Sequence, residues 1–547
     1  MDLTKLDRIN RADEGNFYDT RTMNFEMDRV AAMDDYGLTR VPGKWRFSAW
    51  QAFWSLTGLS TAMAYPLTGA LLALSFGAPA VIIGFVITAL IVGFGVYYTA
   101  KVSANEGISK DLLTRASLGY MGSVLPSLFS ALFFILLFAL EASVMARSLS
   151  EYLPILSYPV SAAIIVLVFI PVGIYGMVLI NKLQNFTLWL YAIGIILAIV
   201  ALFAGWSEQA SAALAGRWWT LNPSGAPLSL ETVLAATGAW SGAFGFVTIL
   251  AVMDVTRMVR RNEQKKGAVL STIISALFNS ILIGLFGIFL LASTNGTNPD
   301  PGVTMVWLLG PFGLLLVLIT QLRINVLNMY LGTLAFESSF AQVFRKALKR
   351  PLLLIPFAVI GYLVMITPFL EYFSLISSLA GAVFAAWVGA ILGENLFVRR
   401  KYGIPAWKEF RRAYLPAVNW IGFASFIIPA VFGVLSVLGL FGPVLQAAGV
   451  VITFAVSFVM PVIVAALFGK EGVVRQFFAR IPEIPPADAD TMTCAISGET
   501  HHRSDFVYCP FHNGTWISSK ACASEAKCGK MCQKSSVSSG PVQQVHA

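Results

Sequence analysis

The feature that most constrains this chain is a series of long apolar runs. A helix needs about 20 apolar residues to cross roughly 30 Å of hydrocarbon, and runs of that length recur along the 547 residues. Hydrophobic residues make up 57% of the chain and charged residues 12%, which excludes an ordinary soluble domain. The runs predict twelve spans, numbered in chain order, near residues 50–75, 78–100, 122–146, 156–180, 184–204, 229–252, 267–292, 304–332, 352–369, 373–397, 417–439 and 442–468.

The charges between the spans predict an orientation. Lys and Arg concentrate in the loops after even-numbered spans, as in 257–266 and 399–412, whereas the opposite loops have little beyond Arg147 and Arg217. Because such residues stay preferentially in the cytoplasm, we expect both termini to be cytoplasmic. The net charge of +9 then requires no nucleic acid partner.

Three parts of the chain are expected. Residues 1–45 are polar, lack the apolar core of a cleavable signal and form a predicted cytoplasmic N-terminal segment. Residues 46–470 form the predicted transmembrane domain. Residues 485–535 form a predicted cytoplasmic tail module that is rich in Cys and His.

Span 3 carries a carboxylate inside an apolar helix, at Glu141 in the stretch "SALFFILLFALEASVMARSLS". A charge at membrane depth is costly and usually faces the bundle interior, a partner or a water-filled path. Glu141 is therefore a candidate site residue. The alternative is a purely structural Glu, hydrogen-bonded within the bundle near its outer interface.

Spans 1 and 6 contain matching glycine-rich stretches, "SLTGLSTAMAYPLTG" (55–69) and "AATGAWSGAFGFVT" (235–248). Gly and Pro disfavour a continuous helix, and a break frees backbone groups that can bind polar ligands where they line a cavity. Two broken helices five spans apart are typical of transporters with inverted repeats. The alternative is close helix packing. The predicted broken-helix and ion-site residues are Gly58, Ser60, Thr61, Gly242, Gly245 and, on span 8, Arg323.

Span 8 places three amides on one helical face, because Gln321, Asn325 and Asn328 are spaced i, i+4, i+7. Three amides in a lipid-embedded helix indicate a polar binding site. The alternative is that they serve as hydrogen-bonding links between helices.

The order of several motifs resembles the nucleobase-cation-symport-1 family of cytosine, purine, allantoin and hydantoin permeases. The motifs are "NEGISKDLLTRASLGYMGS" (105–123), "DVTRMVRR" (254–261), "INVLNMYLG" (324–332) and "LGENLFVRRKYG" (392–403). The resemblance implies an all-α membrane protein of twelve transmembrane helices, a LeuT-like 5+5 inverted repeat plus two helices. It also implies alternating access around a midplane site for a planar heterocycle.

The resemblance implies a substrate site as well. Family members hold the heterocycle between aromatic rings on spans 3 and 6, with amides on spans 3 and 8 at its edge. Here Glu141 falls where a span-3 Gln is expected, and Leu137 replaces an expected Trp, with Phe138 beside it. The predicted substrate-binding residues are Glu141, Phe138, Trp240, Phe244, Phe246, Gln321, Asn325 and Asn328.

The resemblance bears on ion coupling too. In sodium-coupled members span 8 supplies hydroxyls to the cation shortly before the site amide, and here Arg323 and Ile324 stand there, with Thr320 one turn earlier. We expect Arg323 to occupy the cation's place, pinned by carbonyls near Gly58 and Ser60, and protons to replace sodium. The alternative is a structural ion pair of Arg323 with a neighbouring helix.

All five Cys and all four His lie in the tail. Disulfides are disfavoured in the cytoplasm, so the cluster favours metal or redox chemistry. The predicted zinc ligands are Cys509, His512, Cys528 and Cys532, and Cys494, His502 and Cys522 are substitutes. A thiol-based regulatory segment and an unstructured tail are the alternatives.

The sequence thus predicts a secondary transporter that imports a nucleobase-like heterocycle, with no cofactor needed for transport. Its predicted partners are the substrate, H⁺ and the lipid bilayer of the cell membrane. The alternative is a membrane sensor on a transporter fold that signals to a cytoplasmic partner through its tail. We expect no enzymatic activity, since no nucleophile–base pair or phosphate-binding loop is present.

Overall fold

The computed structural model describes residues 36–173, 218–346, 350–406, 408–480 and 491–525. It also describes isolated positions between 187 and 204, and residues 348, 482, 483, 485, 527 and 528. Most of predicted span 5, the first 35 residues and Cys532 lie outside these described residues.

Apolar helices dominate the described chain, as predicted. The helices of the bundle are α1 (Ala49–Ser60), α2 (Ala64–Phe76), α3 (Ala78–Glu106), α4 (Lys110–Leu118), α5 (Val124–Tyr152), α6 (Tyr158–Gly173), α7 (Leu230–Thr256), α8 (Arg261–Ser293), α9 (Pro301–Leu309), α10 (Pro311–Phe344), α11 (Arg350–Met365), α12 (Leu375–Tyr402), α13 (Trp420–Val437), α14 (Pro443–Ala466) and α15 (Gly469–Phe477).

Among the described residues, eight helices are long and apolar enough to span a membrane, and a ninth span results if α1 and α2 are taken together. The shorter apolar helices Tyr158–Pro171 and Leu352–Met365 coincide with predicted spans 4 and 9. With most of span 5 outside the described residues, the count of twelve stays a prediction.

Span 1 is broken, as predicted. Helices α1 and α2 meet at an angle of 45° across the three residues Thr61, Ala62 and Met63. Pro66 lies in the first turn of α2, where a missing N–H removes no intrahelical bond. The break therefore lies before the proline and not at it.

Span 6 is not broken, and that prediction is wrong. Helix α7 runs continuously from Leu230 to Thr256, with a wider π-helical turn at Ser241–Gly245. Span 8 also begins later than predicted, at Pro311, because the preceding apolar residues form the separate helix α9.

Two short helices occupy matching positions in the two halves of the bundle. Helix α4 connects spans 2 and 3, and helix α9 connects spans 7 and 8, five spans later. Because five spans is an odd number, the two connections lie at opposite ends of the bundle. This arrangement agrees with an inverted repeat.

Helix α2, which we call the outer half of span 1, packs closely on span 7. A side chain at Gly69 would lie 2.7 Å from the Gly284 carbonyl oxygen, and one at Gly287 would clash with the Pro66 backbone. Glycine is required at both crossings because backbone meets backbone.

The tail contains β-structure that the sequence reading did not predict. Strands β1 (Thr491–Thr493) and β2 (Thr500–His502) form one antiparallel hairpin, and β3 (Phe506–Cys509) and β4 (Thr515–Ser518) form another. A short helix, α16 (Ser519–Ser524), follows. We call residues 491–525 the tail module. Its buried core includes Ala413 and Tyr414 from the loop after span 10.

The tail module, the N-terminal residues 36–47 and α4 lie at one end of the bundle, which we call the terminal face. Val41 N–H donates to the Gly107 carbonyl at the end of α3, and Phe47 N–H donates to the Met258 carbonyl just beyond α7. We call residues 36–47 the strap, because they cross the ends of these two spans.

Candidate functional site

The break in span 1 is held by Glu141 of span 3. This side chain is 2% exposed, and its carboxylate accepts a hydrogen bond of 3.1 Å from the Ala64 N–H, the first residue of α2. A carboxylate at a helix N-terminus satisfies an otherwise unpaired N–H and is favoured by the helix dipole. Glu141 therefore stabilises the outer half of span 1 at the point where the chain bends.

Gln321 of span 8 joins the same cluster. With its amide nitrogen turned toward span 3, Gln321 donates to the Glu141 carboxylate, and its amide oxygen accepts from the Met63 N–H at 3.1 Å. Spans 1, 3 and 8 therefore meet through one carboxylate, one amide and two freed backbone N–H groups. The sequence placed Glu141 and Gln321 in one site, and the structure brings them together.

The other two amides of span 8 form a pair. Asn328 Nδ2 donates to Asn325 Oδ1 at 3.3 Å, and both side chains are buried. The Asn325 Nδ2 group has no hydrogen-bond partner among the described residues. A buried amide donor without a partner is uncommon and marks Asn325 as a group that can bind a ligand acceptor.

An aromatic cluster lies directly after the break. The rings of Tyr65 and Phe244 stack with centroids 4.1 Å apart, and Trp240 meets both rings edge-on. The Trp240 indole N–H donates to the Ser280 carbonyl on span 7 at 3.1 Å. Trp240 and Phe244 are thus close to the broken span, as predicted from the sequence.

Two predicted aromatic residues lie elsewhere. Phe138 packs edge-on against Phe169 of span 4 and Phe357 of span 9. Phe246 packs against Phe454 of span 12. Their described ring contacts are with the surrounding helices and not with the Tyr65–Phe244 stack.

Sequence reasoning missed three polar residues of this region, namely Tyr65, Thr248 and Asn279. Tyr65 bonds the Thr248 hydroxyl of span 6 at 3.3 Å, and the Ser60 hydroxyl donates to Asn279 Oδ1 of span 7 at 2.6 Å. The Asn279 side chain is buried and also interacts with the Tyr65 hydroxyl. An Asn within the apolar stretch of span 7 and a Tyr just after a predicted break were the available signals.

Thr61 directly follows α1, which we call the inner half of span 1. Its hydroxyl donates to the Gly58 carbonyl at 2.8 Å and lies 3.2 Å from the Thr320 carbonyl of span 8. Gly58, Ser60 and Thr61 therefore all lie at the break, as the sequence predicted.

Arg323 projects from a different side of span 8 than the amides do. Its guanidinium donates to the Thr57 hydroxyl of span 1 at 2.8 Å and to the Thr187 hydroxyl at 2.6 Å. Thr57 is adjacent to Gly58, so Arg323 does reach the inner half of span 1. These two contacts are made to hydroxyl oxygens, whereas carbonyls were expected from the sequence.

The glycines of the span 6 turn have a packing role. A side chain at Gly242 would lie 3.1 Å from the Gly381 Cα of span 10, and one at Gly245 would lie 3.0 Å from a Thr88 methyl of span 2. Small residues here allow close approach of neighbouring helices. π-helical turns are also frequent at functional sites, and this one contains Phe244.

The terminal face is tied by buried ion pairs. Lys110 of α4 lies 2.8 Å from Asp254 of span 6 and 3.2 Å from Asp111. Burial opposes the charged form of Lys110, but the two carboxylates raise its pKa above the usual value. Arg257 donates to the Tyr330 hydroxyl of span 8 and to the Tyr36 carbonyl of the strap, both at 2.8 Å.

The tail cysteines are partly brought together. Cys509, Cys522 and Cys528 line one small cavity with Phe511 and Glu525. His512 instead lies 3.1 Å from Glu525. Within the described part of the chain, no group of three His, Cys, Asp or Glu residues is arranged to hold a metal ion. The fourth predicted ligand, Cys532, lies outside it.

Comparison with solved structures identifies the fold. The inward-facing conformation of Mhp1 superposes with a TM-score of 0.59 at 17% identity, covering 82% of this chain and 97% of that one. The closed conformation of Mhp1, a nucleobase-cation-symport-1 family transporter with bromovinylhydantoin bound, gives 0.58 at 17% identity over 81% and 98%. These similarities support the predicted LeuT-like arrangement.

Comparison of sequences identifies the family. The chain is 26% identical over 361 residues to the putative purine-cytosine permease YxlA of Bacillus subtilis (strain 168), which covers 62% of this chain and 75% of that protein. Residues 43–460 match the model of a family described as permeases for cytosine/purines, uracil, thiamine and allantoin. This match extends over most of the chain, from before α1 into the last span α14, and the chain therefore belongs to that permease family.

Proposed function

We propose that this protein is a secondary active transporter that imports a nucleobase-like nitrogen heterocycle by alternating access. The observation that carries the proposal is the buried, unpaired Asn325 amide on span 8, one turn after Gln321, which contacts the break in span 1. Leaving such a donor unsatisfied costs about 1–3 kcal/mol. A ring carbonyl of a lactam offers the acceptor that would recover this free energy.

The neighbouring groups suit the same chemistry. The stacked Phe244 and Tyr65 rings offer an apolar face on which a flat heterocycle gains contact. Glu141, when ionised, only accepts hydrogen bonds, so it suits a substrate edge with N–H groups. Because Glu141 also binds Ala64 N–H, substrate binding there would be linked to the position of α2.

A pair of phenylalanines on span 6 provides a matched test. The purified protein is screened by thermal shift against purines, pyrimidines, hydantoins, allantoin and small amines, because a ligand that binds only the folded state raises the melting temperature. The Phe244→Ala variant should lose at least tenfold in affinity for the best ligand. Phe246→Ala is the control, since Phe246 packs on span 12, and it should bind normally.

Two results of this screen would contradict the proposal. Equal loss of affinity in both variants would place the ligand away from the Tyr65–Phe244 stack. A screen in which no heterocycle shifts the melting temperature, with or without sodium, would count against the substrate class itself.

We further propose that protons, and not sodium, supply the driving force. Arg323 is buried and bonded to Thr57 of the inner half of span 1. A guanidinium stays charged in proteins, and at about 4 Å it would repel a cation by about 4 kcal/mol at an effective dielectric near 20. Glu141 is the candidate proton carrier.

Uptake into proteoliposomes tests whether sodium or protons drive transport. With an imposed sodium gradient, and then with choline replacing sodium at equal ionic strength, the initial rates should agree within a factor of two. An imposed inward proton gradient should raise the rate in the unmodified protein, and this response should disappear in Glu141→Gln. A steep loss of uptake in choline would show that sodium binds despite Arg323.

The folded tail module favours a second candidate, a membrane sensor that signals through the tail. The module is tied to the bundle through Arg411, whose guanidinium donates to the Phe506 carbonyl at 2.6 Å. Deletion of residues 485–547 separates the candidates. A transporter should keep its uptake without the tail, whereas a sensor would bind its ligand in both forms and transport it in neither.

We also propose that the tail module binds zinc, as its thiolate donors suggest. Cys509, Cys522 and Cys528 line one cavity but are not arranged as a metal-binding set in the described structure, so zinc binding would draw them together, with Cys522 as a ligand in place of His512. Purified protein should contain about one zinc per chain, and a Cys509→Ser/Cys528→Ser double variant should lose it. Cys494→Ser is the control, because Cys494 does not line that cavity. A metal-free preparation, made under reducing conditions without chelators, would contradict this proposal.

A further inference from the structure

Three arginines surround Tyr120 at the terminal face, and we call these four residues the arginine cluster. The guanidinium carbons of Arg345, Arg115 and Arg412 lie 5.2, 5.6 and 5.9 Å from the centre of the ring. They come from three parts of the chain, namely α4, the end of span 8 and the loop after span 10. Like charges held this close repel each other, so a negative group among them would stabilise the cluster.

The backbone around Tyr120 fixes its ring in place. Arg115 and Tyr120 belong to the stretch "NEGISKDLLTRASLGYMGS" (105–123), which contributes no described contact at the break in span 1. Tyr120 N–H donates to the Pro416 carbonyl of the loop after span 10 at 3.0 Å. The Gln342 side chain of span 8 donates to the Tyr120 carbonyl at 2.8 Å. The ring is therefore held where these three parts of the chain meet.

Arg345 reaches the ring from an unusual backbone conformation. It follows the last residue of span 8 and is left-handed, with φ of 57° and ψ of 36°. Residues other than glycine rarely adopt this conformation, and it persists where the surrounding contacts or a function require it. Arg345 is partly exposed, so it is the member of the cluster that a ligand can approach from outside.

Several donors of the cluster lack acceptors. Within the described part of the chain, Arg345 Nη1, Arg115 Nε and the Tyr120 hydroxyl are buried without a hydrogen-bond partner. The described side-chain hydrogen bonds of Arg115 go to Ser338 of span 8, at 2.8 Å to the hydroxyl and 3.4 Å to the carbonyl. Stacking on an aromatic ring stabilises a guanidinium but supplies no acceptor oxygen. Buried donors without partners are uncommon, and these are suited to an anion with several oxygens.

The electrostatics of the cluster also favour an anion. Burial lowers the pKa of Arg115, and the nearby Tyr120, Asp111 and Glu337 offset this effect only in part. Arg412 donates to main-chain carbonyls of the tail module, whose oxygens are neutral. An anion bound here would therefore gain charge attraction as well as hydrogen bonds.

The surroundings of the cluster point to a lipid as the source of the anion. Large apolar side chains close to Tyr120 and Arg345 in the chain are exposed, with exposed fractions of 38% at Met121, 48% at Leu125 and 60% at Phe344. At the ends of spans 3 and 8 such side chains suit contact with acyl chains. The loop charges predict that the terminal face is cytoplasmic, and basic pockets between membrane helices on that side bind anionic headgroups.

We propose that the arginine cluster binds the phosphate group of an anionic phospholipid. A planar guanidinium pairs with phosphate oxygens through two parallel hydrogen bonds. Arg345 receives the headgroup at the rim, and Arg115 and the Tyr120 hydroxyl are the inner donors. The bound lipid joins α4, the end of span 8 and the loop after span 10. This inference does not depend on which heterocycle is transported, because the cluster makes no described contact with the break in span 1.

Native mass spectrometry of the full-length protein in a neutral detergent tests the site. On titration with phosphatidylglycerol, one lipid should bind about tenfold more tightly than phosphatidylcholine, whose headgroup carries no net charge. Glycerol 1-phosphate is the soluble probe with the same phosphate chemistry. It should fail to displace the bound phosphatidylglycerol at equal concentration, because it has no acyl chains to bury.

Two arginines of the same face provide a matched test. Arg345→Gln should lower the affinity for phosphatidylglycerol by about tenfold. Arg400→Gln is the control, because it removes the same charge from an exposed position near the end of α12, and it should leave the affinity unchanged. Tyr120→Phe keeps the ring on which the arginines stack and removes the unpaired hydroxyl, so it should lower the affinity by about fivefold.

Three outcomes overturn the proposal. Equal losses in Arg345→Gln and Arg400→Gln would show a diffuse attraction to a basic face. Unchanged affinity in both Arg345→Gln and Tyr120→Phe would show that the cluster has a structural role only. Displacement of the lipid by glycerol 1-phosphate at equal concentration would overturn the lipid source. If Arg345→Gln does not fold, Tyr120→Phe alone decides between the site and the structural role.

Discussion

Spans 1 and 6 have similar sequences and different structures. Both contain several small residues within an apolar helix, and both sit at matching positions of the two halves. Span 1 bends by 45° at Thr61–Met63, whereas span 6 continues through Ser241–Gly245 with one widened turn. The difference lies in the neighbours, because the freed N–H groups of Met63 and Ala64 have Gln321 and Glu141 as acceptors.

The glycines of span 6 pack closely on neighbouring helices. A carbon added at Gly242 would lie 3.1 Å from the Gly381 Cα of span 10, and one added at Gly245 would lie 3.0 Å from the Thr88 methyl group of span 2. Glycine therefore permits a break but does not cause one. A break at membrane depth persists only where other groups satisfy the backbone that it frees.

The largest effect is expected from removing the acceptor at the span 1 break. Glu141→Leu would leave the buried Ala64 N–H without its partner, at a cost of about 1–3 kcal/mol, and uptake should be abolished. Glu141→Gln is the control for the break, since its amide oxygen still accepts from Ala64. It should fold with a melting temperature near that of the unmodified protein while altering substrate affinity.

Uptake and affinity measured in both Glu141 variants show whether Glu141 stabilises the break, binds the substrate or does both. Unchanged uptake in Glu141→Leu would show that span 1 bends without this carboxylate. Unchanged affinity in Glu141→Gln would show that Glu141 stabilises the break and has no part in substrate binding.

A smaller effect is expected from adding a methyl group to span 6. Gly242→Ala would place a carbon about 3.1 Å from both the Gly381 Cα and the Ser377 carbonyl, and overpacking of this kind costs about 1–3 kcal/mol. The melting temperature should fall by several degrees. The control is Gly238→Ala, whose new carbon would meet nothing closer than 3.5 Å. If both variants behave alike, close packing does not explain the span 6 glycines.

The contact of Tyr65 on span 1 with span 6 offers a third test. Tyr65→Phe removes the hydroxyl bonded to Thr248 at 3.3 Å and keeps the ring on Phe244. Loss of one intramolecular hydrogen bond lowers the free energy of unfolding by about 1 kcal/mol, so the melting temperature should fall by a few degrees at most. Tyr65→Leu removes the ring as well and should lower the melting temperature further in the same measurement. Equal losses would mean that the hydroxyl, and not the stack, carries the contribution.

The smallest effect is expected at Pro66. Pro66→Ala should change both the melting temperature and uptake very little, because Pro66 lies in the first turn of α2 and the bend precedes it. The main cost is the greater freedom that the unfolded chain gains when proline is replaced, about 0.4–1 kcal/mol. A strong loss of uptake in this variant would mean that the proline, and not Glu141 with Gln321, maintains the bend.

Much of the bundle could be predicted from the sequence, because a membrane helix is specified by a local run of apolar residues. The break in span 1 and the shared site of Glu141 and Gln321 were also predictable. The continuity of span 6 was not, since it depends on Gly381 of span 10, about 140 residues away in the chain. Which aromatic ring faces the site likewise depends on helix rotation, which separates Phe244 from Phe246.

The tail shows a different limit of prediction from the sequence. Its Cys and His content suggested metal chemistry, but nothing in the spacing predicted two hairpins docked on the strap. That docking depends on single residues far apart in the sequence, such as Arg40 and Asp505. A buried pair of opposite charges leaves no periodic pattern for sequence reading to detect.

The glycine crossings between α2 and span 7 have a mechanical consequence. Gly69 and Gly287 bring the two backbones so close that neither helix can slide along the other without first moving apart. The outer half of span 1 and its partner are therefore expected to swing as one lever, with its pivot at Thr61–Met63. The 13 residues of α2 extend about 20 Å, so a swing of about 10° carries the far end through about 3–4 Å.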